Sequence, residues 1–231
     1  MRKIGSMQCL EVVQDPDAPW MILFHGFGAD AWDLKPLAEL IPLNRPCNFL
    51  FPQGVLEVPI GPAWSGLAWW NLDLARVQRD LDAGLEWDTS AEVPATLPQV
   101  RQKVLAMIEG MKVPWEKIIL GGFSQGGMVA VDTALHAPVN PMGLALLSTA
   151  LINKSDWKEK APARAGLEFF QCHGQQDMVL SIKNAQRLET LLNQAGLKGS
   201  LLSFRGGHEI PTAMLERLGK YLDNKLNRTS T

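Results

Sequence analysis

Little in this chain can bridge, ligate or anchor. Its 231 residues include three cysteines, Cys9, Cys47 and Cys172, widely separated, odd in number and without a CxxC pair. That is a poor disulfide framework and a poor metal site, and it suits a reducing compartment. The four histidines lack the close spacing usual for zinc ligands, so no metal is expected. No window approaches 18 consecutive apolar residues, so no segment is expected to span a membrane. The basic start, Met1 to Gln8, lacks the apolar stretch of a secretory signal, and a cytoplasmic protein is the expectation. Net charge is −2 with a pI near 6.1, no footprint for nucleic acid. No basic amphipathic run argues for an anionic membrane surface.

What is present is ordinary globular composition, 46% hydrophobic and 20% charged. A chain of this length buries roughly 70–75% of its unfolded surface, enough for one domain over residues 1–231. Short apolar runs recur at Trp20–Phe24, Asn48–Phe51, Lys117–Leu120, Gly143–Leu147, Leu167–Cys172 and Leu201–Phe204. Runs this apolar, without alternation, fit parallel strands buried on both faces. Between them, Leu97–Met111 carries apolar residues near a 3.6 period, and Met128–Leu135 is a second helical run. Ser181 suits the N-cap of a third helix ending before Gly196, and Pro211 the first turn of a last one. The alternation predicts an α/β fold, a mostly parallel sheet with helices on both faces.

Residues 53–93 break the rhythm. They hold Gly54, Pro59, Gly61, Pro62, Gly66 and Gly84, and half of the eight tryptophans: Trp64, Trp69, Trp70 and Trp87. This reads as a long excursion forming a cap or pocket wall over one end of the sheet, or as a surface loop pinned by aromatic anchors.

Gly122-Phe123-Ser124-Gln125-Gly126 matches G-x-S-x-G directly after a predicted strand and before a predicted helix. A sharp turn there lifts the serine out of the backbone, and side chains at the flanking glycines would collide with the adjoining elements. The helix start adds N–H groups and positive dipole where an oxyanion would form.

A serine hydroxyl needs a base, and the base an orienting group. In open α/β sheets functional loops leave the carboxyl ends of strands. Ser124, Asp177 and His208 lie on such loops, in the order expected of a hydrolase on this architecture. His208 is the expected general base and Asp177 its partner. His173, four residues before Asp177, is the rival base; His136 reads as a packing or surface residue, and His25 as a loop-shaping one. The backbone N–H groups of Gln125 and Phe27 are the expected oxyanion donors. Trp69, Trp70, Met178 and Val179 are expected to line an apolar acyl groove.

The segments L-F-H-G-F-G, G-G-F-S-Q-G-G-M, H-G-Q-Q-D-M-V and G-G-H-E-I-P together resemble the phospholipase/carboxylesterase family of α/β-hydrolases, which includes the acyl-protein thioesterases. The resemblance runs from about residue 20 to 222. It implies the same triad and oxyanion pair, and a cofactor-free enzyme acting on carboxylic esters or thioesters. Ala68-Trp69-Trp70-Asn71-Leu72-Asp73 stands where the thioesterases carry a Trp-Phe-Asp-Ile-like segment, so the reaction class transfers better than the substrate. A serine carboxylesterase for short- to medium-chain esters, with a small-molecule ester or thioester as substrate, is the expectation. The alternatives are an acyl-protein thioesterase or lysophospholipase, a peptidase, and a non-catalytic binding protein on the same fold. Exposed aromatics at the mouth would suit a homodimer.

Overall fold

In a computed structural model, residues 1–61, 64–73, 75, 79, 82, 83 and 87–227 are described; Pro62 and Gly84 of the excursion lie outside these. The chain opens with an antiparallel pair, β1 (Arg2–Ile4) and β2 (Met7–Val12). Then follow β3 (Trp20–Phe24), two short helices α1 (Ala31–Leu34) and α2 (Leu37–Leu40), and β4 (Asn48–Pro52). The excursion holds an antiparallel hairpin of β5 (Leu56–Gly61) and β6 (Trp64–Ala68). After it come α3 (Leu97–Met111), β7 (Ile118–Phe123), α4 (Gln125–His136), β8 (Gly143–Leu147) and α5 (Lys154–Lys160). The chain continues through β9 (Glu168–Gly174), α6 (Ile182–Gln194), β10 (Lys198–Phe204) and α7 (Thr212–Leu226).

The main sheet runs β1-β2-β4-β3-β7-β8-β9-β10, parallel from β4 to β10 and antiparallel at the β1–β2 edge. Alternation along β3 sends Ile22 and Phe24 to one face and Met21 and Leu23 to the other. The first face packs on α3, α4 and α6 and the second on α1, α2 and α7, which explains why β3 reads as a continuous apolar run. Successive strands move to opposite sides of β3: β4 on one flank, β7 on the other. The loops after β3 and β7 therefore diverge from a topological switch point, where open α/β sheets place their ligands.

The helix predicted over 97–111 has those bounds, and Ser181 caps α6 by accepting the Lys183 N–H. Gly196, just beyond α6, takes φ +89°, a value that disfavours a side chain. Pro211 precedes α7 at its cap rather than lying inside its first turn.

Candidate active site

The loop after β7 is set by sterics. Ser124 has φ 54° and ψ −121°, a conformation that costs a residue with a side chain on the order of 1–3 kcal/mol. Surrounding bonds hold it there. Its N–H donates to Leu147 O (2.9 Å), and its carbonyl accepts from Thr149 Oγ1 (2.8 Å) and the Gly127 N–H (3.0 Å). A Cβ on Gly126 would stand 1.9 Å from Phe24 O, and one on Gly122 2.4 Å from the Gly126 carbonyl carbon. Both glycines are required by close approach.

The acid and histidine loops are zipped together. Gln175 N–H donates to Phe204 O (2.8 Å) and Gln176 N–H to Gly206 O (2.9 Å). A Cβ on Gly174 would meet Gly207 O at 2.1 Å. Ser148 Oγ donates to Glu209 O (3.0 Å), anchoring the chain beside His208. Across this seam His208 Nδ1–H donates to Asp177 Oδ2 at 2.6 Å. A carboxylate only accepts, so Nδ1 carries the proton of this bond and Nε2 is the ring nitrogen left for another partner. The His208 ring lies 4.8 Å from that of Phe123, the residue before Ser124, and both His208 and Ser124 line one cavity. No direct hydrogen bond joins Ser124 Oγ to His208 among the described residues; such bonds are often long before substrate arrives.

Asp177 is the electrostatic centre. Burial opposes its ionisation. Hydrogen bonds from His173 and His208, the Leu180 N–H and the charge on His208 outweigh that and hold the carboxyl well below the usual range. Val179 and Leu180 both donate their N–H to Oδ1 at 2.8 Å. His173 is fully buried; its Nε2 donates to Leu180 O (2.7 Å) and lies 3.2 Å from Asp177 Oδ2, while Nδ1 has no partner. It does not line the cavity.

Two residues that line the cavity, Phe27 and Gln125, have backbone N–H groups with no acceptor among the described residues. Gln125 is the first residue of α4, so its N–H lacks an intrahelical partner. Phe27 follows β3. Neither N–H is engaged among the described residues, whereas Gly28 donates to Leu67 O (2.8 Å) and Ala29 to Gly26 O (3.3 Å). The β5–β6 hairpin rails this loop, since Leu67 N–H also donates to Ala29 O (2.9 Å) and a Cβ on Gly66 would meet Gly28 O at 1.9 Å.

The cavity holds about 420 Å³, within the range for small-molecule sites. Trp70 and Val179 line it, as expected; Trp69 and Met178 do not. Trp69 is fully buried, edge-on to Phe24 at 5.3 Å, with Nε1 donating to His25 O (2.9 Å). One of two adjacent tryptophans faces the core and the other the cavity. Met178 points to solvent, 78% exposed. Trp87, Thr89, Met128 and Ile152 are wall residues that sequence reasoning missed, although Trp87 carried a signal as one of the clustered tryptophans.

The remaining histidines are structural. His25 donates from Nδ1 to Gly26 O (2.8 Å) and accepts the Gly54 N–H at Nε2 (2.9 Å), tying β3 to the start of the excursion; burial lowers its pKa. His136, Asp132 and Asp156 could together ligate a metal by distance. The Arg101 guanidinium already forks onto Asp132 (2.7 and 3.0 Å) and lies 3.7 Å from Asp156, so this is an ion-pair network.

The chain matches the family model described as Phospholipase/Carboxylesterase over residues 7–226. Curated relatives include acyl-protein thioesterase 1 of Mycosarcoma maydis, 26% identical over 201 residues, covering 83% of this chain and 82% of the relative. The enzyme of that name from Eremothecium gossypii is 28% identical over 210 residues, covering 84% and 83%. Among solved structures, esterase PE8 has a TM-score of 0.80 at 21% identity, covering 95% of this chain and 99% of that one. Acyl-protein thioesterase 2 of Zea mays has a TM-score of 0.66 at 18% identity, covering 95% and 99%. At these identities the structural likeness establishes the α/β-hydrolase fold.

Proposed function

The chain belongs to the phospholipase/carboxylesterase family of hydrolases, and on that premise we propose that it is a serine carboxylesterase for short- to medium-chain esters. The observation that carries this reading is the meeting, in one cavity, of Ser124, the unengaged N–H groups of Phe27 and Gln125, and a histidine held by an ionised Asp177.

In the proposed mechanism His208 Nε2 takes the Ser124 proton as Oγ attacks the ester carbonyl carbon. Charge developing on the carbonyl oxygen is received by the Phe27 and Gln125 amides, which need no reorganisation. Asp177 steadies the imidazolium. The ester C–O bond breaks, the alcohol leaves with the proton from His208, and an acyl-Ser124 ester remains. Water, deprotonated by His208, attacks that ester; the acid departs and Ser124 recovers its proton.

The volume of about 420 Å³ favours short and medium acyl chains. Thioester cleavage is the second reading, favoured by the relatives named acyl-protein thioesterase, and uses the same steps with a thiol leaving.

The test is turnover of p-nitrophenyl acetate through octanoate beside the matching thioesters. Ser124→Ala should lose roughly three to six orders of magnitude, retaining only what binding and the oxyanion amides supply. Wild-type turnover by Ser124→Ala overturns the assignment of the nucleophile. Activity that peaks on long-chain micellar substrates overturns the assignment of chain length.

A further inference from the structure

In the sheet, β8 and β9 separate β7 from β10, so the strand ends that lead to Ser124 and to His208 lie about 14 Å apart, three strand spacings. The chain after β10 must travel back across the ends of β9 and β8 before its imidazole can serve that hydroxyl. The return is made, since the His208 ring lies 4.8 Å from the Phe123 ring. Asp177, after β9, holds the imidazole at 2.6 Å, which fixes one side of the ring and leaves its distance to Ser124 open. No hydrogen bond runs directly between residues 121–127 and 205–211 among the described residues.

The span is held from its middle. Ser148 and Thr149 follow β8 directly, and both are fully buried. Ser148 Oγ donates to Glu209 O (3.0 Å), one residue beyond His208, and Thr149 Oγ1 donates to Ser124 O (2.8 Å). Two successive hydroxyls thus hold the neighbour of the base and the nucleophile's own carbonyl. The backbone between them is fixed to the adjoining strands: Leu147 O accepts the Ser124 N–H, and the Ser148 N–H donates to Cys172 O, each at 2.9 Å.

Ser148 stands at φ 45°, left-handed backbone in which glycine would be the ordinary occupant. A serine stands there instead, in the interior, with its hydroxyl spent on the histidine loop. On the other side, a Cβ on Gly127 would lie 2.6 Å from Thr149 Cβ, so α4 presses on the residue that holds Ser124. Neither Ser148 nor Thr149 lines the acyl cavity, so neither acts by touching substrate.

We propose that Ser148 and Thr149 are positioning residues that together set the distance from His208 Nε2 to Ser124 Oγ, an inference that rests on the serine-hydrolase reading above. A misplacement of about 1 Å can cost on the order of a hundredfold in rate. The end of β8 is therefore the gauge between nucleophile and base.

The test compares kcat/KM for p-nitrophenyl butyrate and ethyl butyrate in the full-length protein, since both esters form the same acyl-enzyme. Ethoxide must take the His208 proton as it leaves, whereas p-nitrophenolate departs without one. Ser148→Gly removes the hydroxyl and suits the φ 45° backbone, and its melting curve checks the fold. A loss of about tenfold is expected on p-nitrophenyl butyrate and about a hundredfold on ethyl butyrate. Thr149→Val, in which Ser124 O keeps the Gly127 N–H (3.0 Å), should show the same skew from the nucleophile's side. Thr149→Ser keeps the hydroxyl and should restore most of the wild-type rate on both esters. A merely structural defect lowers the amount of working enzyme and leaves its discrimination unchanged. Ser124 of the wild type is labelled in parallel with a fluorophosphonate. A labelled Ser124 together with equal losses on the two esters, or with wild-type rates in both hydroxyl-free variants, overturns the positioning alone. An unlabelled Ser124 overturns the serine-hydrolase reading and this inference with it.

Discussion

Gln125 and Trp69, 56 residues apart in sequence, are joined by a hydrogen bond from the Trp69 N–H to Gln125 Oε1 at 2.9 Å. The same amide donates through Nε2 to Trp70 O, also at 2.9 Å. One residue thus lines the cavity and clamps the outgoing leg of the excursion with its side chain. The Asn184 side chain clamps the returning leg at Trp87 and Thr89.

Gln125→Leu separates the two roles. The backbone N–H survives, while two buried groups of the Trp69–Trp70 segment lose their partners, at a cost on the order of 2 kcal/mol or more. Urea denaturation should show that loss. KM for medium-chain esters should rise several-fold while kcat falls less; the opposite split would mean that the side chain acts on the reaction itself.

The two adjacent tryptophans should respond differently. Trp69→Ala empties a fully buried site and should cost about 3–5 kcal/mol of stability. Trp70→Ala enlarges the cavity and should move the optimum of kcat/KM toward longer acyl chains. Matching chain-length profiles for the two variants would contradict the placement.

Histidine identity is tested by comparing His173 with His208. His208→Ala should cost roughly a thousandfold or more in kcat/KM, as expected on loss of a general base. His173→Phe removes one donor to Asp177 and leaves Leu180 O without its partner, so a fall of about tenfold is expected. The reverse ranking would make His173 the base.

Asp177 also sets an acid limit. Its carboxyl titrates below the ordinary range in the folded chain, so on acidification the unfolded chain takes up the proton first. The stabilisation is whole above the unfolded value of about 3.9 and is lost as pH falls toward the folded value. The stability advantage of wild type over Asp177→Asn should therefore hold from pH 7 to 5 and shrink by pH 3.5. An advantage that grows in acid would reverse the sign.

Buried parallel strands and the loops at their ends were legible because their signals are local. Trp20–Phe24 and Gly143–Leu147 were read with their observed bounds. β7 runs on to Phe123, beyond the predicted Leu120, because Gly121 and Gly122 read as loop yet pair with Ala145 and Leu146. β10 starts at Lys198 rather than Leu201, since its first half is partly exposed and lacks a dense apolar run. The β1–β2 edge and the β5–β6 hairpin were missed for the same reason, the hairpin also carrying Pro59 and two glycines. At the site, chain order named Asp177 and His208, which are hydrogen-bonded, and the motif named Ser124, which lines one cavity with His208. The clamps at Gln125, Ser148, Thr149 and Asn184 were invisible, because a buried amide or hydroxyl shows its target only once distant segments are packed.

All three thiols are fully buried, and burial pushes Cys9, Cys47 and Cys172 up to about 12. At neutral pH none offers a thiolate to a disulfide reagent. A colorimetric reporter that traps free mercaptan can therefore share the cuvette with the native protein, so thioester cleavage can be followed continuously against a flat enzyme blank.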